Sequence, residues 1–193
     1  MRALIFTLLI ALAAPAATMA AAPANGPDEL MVAWKSICFD THGDTQKALA
    51  LATATGWKPM APLPGAAHPG MSRLEKWVGS DHWELVILDK ESPGGDAPFP
   101  TRMATCITGL SPSAPDAGPA MRALMGRDAM AVEDGKLTWA YYEHAGQRDF
   151  NVELAPEARI AALRAGPFVM VGAIHSPQGS GLSYVMITKA DAP

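Results

Sequence analysis

Met130-Ala131-Val132-Glu133-Asp134-Gly135-Lys136-Leu137-Thr138-Trp139-Ala140-Tyr141-Tyr142 sets two β-prone runs on either side of Asp134-Gly135. A two-residue type I′ turn needs positive φ at both central positions, and Asp-Gly meets that demand at low steric cost. The stretch therefore reads as an antiparallel hairpin. Side chains alternate along a strand, so Trp139 and Tyr141 share one face of the second arm, and Tyr142 joins Thr138 and Ala140 on the other. If one of those faces meets solvent, Trp139, Tyr141 and Tyr142 form a binding surface for a protein or a glycan. Core packing is the competing fate of such large side chains.

Working outward towards the C-terminus, a turn at Ala145-Gly146 leads to an expected strand at Phe150–Leu154. Pro156 then opens a helix through Arg164, with Ile160 and Leu163 as its stripe and Gly166 as its stop. Phe168–Ile174 and Leu182–Ile187 read as a last hairpin across a flexible loop, residues 175–181.

Towards the N-terminus, Pro119 starts a short helix that ends near Gly126. Arg102–Leu110 is a strand with Ala104, Cys106, Thr108 and Leu110 on one face. His82–Asp89 is apolar on both faces, which predicts a central strand covered on two sides. Arg73–Val78 is a shorter strand, and residues 58–71 form a Pro/Gly-rich loop. Leu30, Met31, Trp34, Ile37 and Cys38 recur at helical spacing over Asp28–Cys38. Asp44 then caps a second helix, Thr45–Thr55, which leaves through Gly56 into Trp57. The sum is an α+β fold: a mostly antiparallel sheet with an N-terminal helical hairpin and two further short helices.

The first residues carry a different signal. Arg2 precedes an apolar run from Ala3 to Ala14, Pro15 breaks it, and small residues follow through Ala22. That order is what an export machinery and its signal peptidase read. Residues 1–22 are expected to be a signal peptide cleaved after Ala20 or Ala22, leaving 23–193 as a single globular domain. The apolar part spans about a dozen residues, short of the ~20 that cross a bilayer, so no membrane span is expected after cleavage. The destination is the periplasm or the outside of the cell.

Cys38 and Cys106 are the only cysteines. In an oxidising compartment an even count reads as paired, and here one pairing exists. Cys38 lies on the stripe of the first helix and Cys106 inside a strand, so the bond would pin helix to sheet. A paired cysteine serves neither as nucleophile nor as ligand.

A net charge of −4 offers no footprint for phosphate backbones, which excludes nucleic acid as the expected partner. Neither G-x-S-x-G nor the phosphate-cradling glycine motifs occur. Asp40-Thr41-His42-Gly43-Asp44 gathers two carboxylates and an imidazole, but cap and turn chemistry explains those residue types without a metal. No cofactor is implied. The sequence thus points to an exported domain that binds a protein or an envelope component. The alternative is a hydrolase-like enzyme whose site assembles from His42, His82, His144, His175 and dispersed carboxylates only in three dimensions.

Overall fold

The computed structural model describes residues 27–61, 68–93, 97–112, 114 and 116–190; the expected signal peptide lies outside them. In chain order, α1 (Pro27–Trp34) runs into a π-helical turn (Lys35–Phe39) and is followed by α2 (Thr45–Ala54). Then come β1 (Lys58–Pro59), β2 (Met71–Val78), β3 (Asp81–Ser92) and β4 (Thr101–Thr108). After α3 (Gly118–Met125) follow β5 (Ala131–Glu133), β6 (Lys136–His144) and β7 (Gln147–Asp149). The last elements are α4 (Pro156–Ala165), β8 (Phe168–Ser176) and β9 (Gly179–Lys189).

The strands form one nine-stranded sheet in the order β1-β2-β3-β4-β9-β8-β6-β5, with β7 also on β6. Every pairing in it is antiparallel. The fold is α+β, as expected. Asp134 and Gly135 take φ of 45° and 77°, and the hairpin they close pairs Ala131 with Thr138.

One face of the sheet carries the core. Leu74, Leu85, Ile87, Cys106, Tyr184, Val171 and Trp139 pack there against Leu30, Trp34 and Ile37 of the first helical segment and Met121 of α3. α2 packs over β3 and β4, where Ala48 and Ala52 allow close approach. Asp44 caps α2, accepting from the Lys47 N–H at 2.9 Å. α4 adds no side chain to this cluster; it contacts β9 and β6 near Tyr142, which alternates away from Trp139 and Tyr141.

Cys38, in the π-helical turn, is bonded to Cys106 of β4, with Cα atoms 5.4 Å apart. Both are buried. The bond joins the first helical segment to the middle of the sheet across a sequence separation of 68 residues.

Three expectations are corrected. Phe150–Leu154 is not a strand: β7 ends at Asp149, whose carboxylate accepts from the Asn151 N–H at 2.9 Å and turns the chain. Phe150 instead packs on Tyr141, ring centroids 5.4 Å apart, under the Arg127 guanidinium. Residues 175–181 are mostly strand, with only Pro177-Gln178 between β8 and β9. Gly179, at φ 128°, lies so close to the Ser111 main chain that a Cβ would collide with it, and Ser180 and Ser111 exchange two main-chain hydrogen bonds. The Gly and Ser there serve close approach rather than flexibility. Gly166 ends α4, as expected, and does so in extended backbone. On β3, Trp83, Leu85 and Ile87 are buried, whereas the opposite face, His82, Glu84, Val86 and Leu88, is only half-buried.

Asp89 ties α2 to the sheet. It accepts from Thr45 Oγ1 at 3.0 Å and from two nitrogens of Arg102. The Arg102 hydrogen bond, aided by Thr45, holds the Asp89 carboxyl below its usual value despite partial burial. A depressed carboxylate stabilises the fold above the unfolded-chain value, and that contribution is lost as pH falls through the folded one. Asp89→Asn is therefore expected to cost about 1 kcal/mol near neutral pH, modest because Arg102 is half exposed. The gap from the parent should close as pH falls through and below about 3.9. Urea melts at a series of pH values check this; a gap that is constant down to the acid limit would refute the pairing.

Candidate functional site

The aromatic strand does not supply a surface. Trp139 is 0% exposed and Tyr141 and Tyr142 are 2% exposed, so the expected contact patch at these three residues is corrected to core. Both faces of β6 are covered. Trp139 donates from its indole to the Arg127 carbonyl at 3.0 Å inside the main core. Tyr142 lies on the second face with Phe168 at 5.1 Å and Arg159 of α4 nearby.

The histidines do not form one constellation. His42 sits in the α1–α2 connection, His82 at the start of β3, His175 near the end of β8, and His144 at the opposite end of the sheet from the last two. His175 Nδ1 is 2.7 Å from Ser180 Oγ, and Ser111 Oγ donates to Asp81 at 3.3 Å. This row resembles a Ser–His pairing in composition only, since Ser180 is fully buried and no substrate reaches its hydroxyl. Of the two carboxylates flanking His42, Asp40 is paired with Lys35 at 2.7 Å and Asp44 is spent on its cap.

Among the described residues, the exposed aromatic one is Trp77, the penultimate residue of β2. It is 65% exposed and, together with Val32 of α1, 64% exposed, it borders a groove. The groove has a volume of about 480 Å³. Glu29, Val32, Ala33 and the start of the π-helical turn make one wall, Lys76, Trp77 and Val78 the other, and Trp57 and Trp83 the floor. Pockets of roughly 300–1,000 Å³ with mostly apolar linings and few polar groups are the usual form of a binding site.

Its walls are locally determined. Gly79-Ser80 turns β2 into β3, and a side chain beside a hairpin end has few neighbours to bury it. Trp77 is nevertheless held in place against its cross-strand partner His82, ring centroids 4.9 Å apart and the planes tilted by 39°. His82 Nε2 lies 2.8 Å from Glu75 Oε2, and Arg73 pairs with Glu84 at 3.0 Å on the same face. The floor rings Trp57 and Trp83 pack at 6.5 Å, and among the described residues neither buried indole N–H has an acceptor. Lys76 donates to the Thr55 carbonyl at 2.9 Å, while Glu29 is exposed and forms no ion pair among the described residues.

Sequence reasoning passed over Val32 and Trp77. The usable signal was a Trp two positions before Gly79-Ser80, where a short turn leaves a large side chain at a hairpin tip. No protein-family model, curated protein or solved structure matched the chain on comparison. Among the described residues, no helix is long and apolar enough to cross a membrane.

Proposed function

We propose that this chain is an exported, disulfide-stapled binding domain of the cell envelope, and that its ligand site is the groove between α1 and the β2–β3 turn. One observation carries the reading: Val32 and Trp77, two of the three most exposed large apolar side chains among the described residues, both border a groove floored by the indoles of Trp57 and Trp83. Apolar side chains left in water beside a preformed cavity gain by being covered, at roughly 25 cal/mol per Å² of area removed from solvent. Export is supported by the leader-like residues 1–22 and by the buried Cys38–Cys106 bond, which suits an oxidising periplasm or exterior.

The neutral apolar dye N-phenylnaphthylamine tests the site. Saturable binding with a rise in dye fluorescence is expected. Val32→Asp or Trp77→Ala should weaken it about tenfold while shifting stability by less than about 1 kcal/mol, since both are surface positions. Dye binding that is not saturable, or that both variants leave unchanged, would overturn the assignment.

A further inference from the structure

Taking the groove as the binding site, we infer that its occupant is an extended polypeptide segment, apolar with a basic residue, which adds as a strand to the outer edge of β2 at Trp77.

The edge is defined by register. Met60 donates its N–H to the Arg73 carbonyl at 2.9 Å, and Lys58 and Pro59 of β1 pair with Glu75 and Leu74. Main-chain groups alternate sides along a strand, so those of Arg73, Glu75 and Trp77 face outward, while Leu74, Lys76 and Val78 face β3. β1 begins at Lys58, opposite Glu75, and its chain then turns away into Gly56 and α2. The outward N–H and C=O of Trp77 lie past that end. Among the described residues no hydrogen bond reaches them. They open onto the groove whose other wall is α1.

A helix standing beside a free strand edge is the arrangement in which an extended peptide gains main-chain hydrogen bonds on one side and side-chain pockets on the other. A small apolar ligand would use the pocket and leave the edge unpaired. The body of a docked helix has no main-chain groups to offer it. An extended strand satisfies both: its residue opposite Trp77 shares the face of the Trp77 ring, and the neighbours of that residue point to the other face, that of Trp57 and Trp83. Charge sets the remaining feature. Glu29 on the α1 wall forms no ion pair among the described residues, whereas the ammonium of Lys76 on the other wall donates to the Thr55 carbonyl. A lysine or arginine of the partner placed against the α1 wall can pair with Glu29.

The test uses the purified, disulfide-bonded chain and fluorescently labelled, capped peptides of about seven residues that alternate Val and Thr, with one Lys scanned through the Thr positions. Anisotropy is expected to show saturable binding for at least one register. N-methylation of the backbone amide opposite Trp77 in that peptide should weaken it about tenfold, the factor carried by one lost main-chain hydrogen bond. Replacing the Lys by Glu, or Glu29→Lys in the protein, should each weaken it severalfold, and combining the two should recover part of the loss. N-phenylnaphthylamine binding, run in parallel, separates the failures. If the dye binds but no peptide does, or if N-methylation scanned along the bound peptide has no effect at any position, strand addition is wrong and the groove assignment stands. If neither dye nor peptide binds, the groove assignment itself has failed.

Discussion

Reduction of the Cys38–Cys106 bond is expected to destabilise the chain by about 4 kcal/mol, the chain-entropy value for a closed loop of this length. Against a typical margin of 5–15 kcal/mol, that loss leaves a fold that melts many degrees earlier. The structure says where the loss falls. Cys38 lies in the π-helical turn between α1 and α2, and its partner is central in β4, which pairs with β3 and β9. Without the bond, the first helical segment is held by Leu30, Met31, Trp34, Ile37 and Phe39 alone. Melting the oxidised chain, the reduced chain and a Cys38→Ala/Cys106→Ala variant checks this. The reduced and doubly substituted proteins should agree within about 1 kcal/mol, because both lose the same constraint. Thiol titration of the unfolded, unreduced chain should find no free thiol. Equal melting of the oxidised and reduced chains would refute the stabilising role. Because α1 forms one wall of the groove, dye binding should weaken on reduction before the sheet melts.

Local chemistry was legible in the sequence where a residue type has a single conformational use. Asp134-Gly135 specified its turn, Asp44 its cap, and two cysteines in a chain read as exported left one pairing to draw. The sheet order was not legible, because β4 pairs with β9 and β6 with β8, and nothing in a strand's own alternation names a distant partner. That gap explains the misread aromatic residues. Trp139 and Trp77 each sit in an alternating strand, and their local patterns do not separate them. Trp139 is buried because β6 has β8 beside it and covered faces above and below, whereas Trp77 is exposed because it stands at a hairpin end past Lys58, the first residue of β1. The Gly and Ser of β9 were misread for the same reason: their purpose is the close contact with Ser111, a residue far away in sequence.

All three tyrosines are buried, and this predicts an abrupt alkaline transition. Burial pushes the Tyr141 phenol up to about 12, opposed by the nearby Arg148, and burial also raises Tyr142 and Tyr184. In the unfolded chain each ionises near 10. A group whose folded value is raised contributes stability that is intact below the unfolded value and is lost as pH climbs towards the folded one, because the unfolded state releases its proton first. Between about pH 10 and 12, Tyr141 alone should remove about 2 kcal/mol, with Tyr184 and Tyr142 acting in the same direction over that window. Phenolate absorbance of the native chain is thus expected to stay flat through pH 10. It should then rise in one step that coincides with loss of the circular-dichroism signal of the sheet. Tyr142→Phe should reduce the amplitude of that step by a third and leave its cooperative shape unchanged, since Tyr142 is one of three equivalent chromophores released together. A phenolate titrating near pH 10 with the sheet intact would place that tyrosine at the surface, and if Tyr142→Phe abolished it, the binding surface first expected on β6 would be restored.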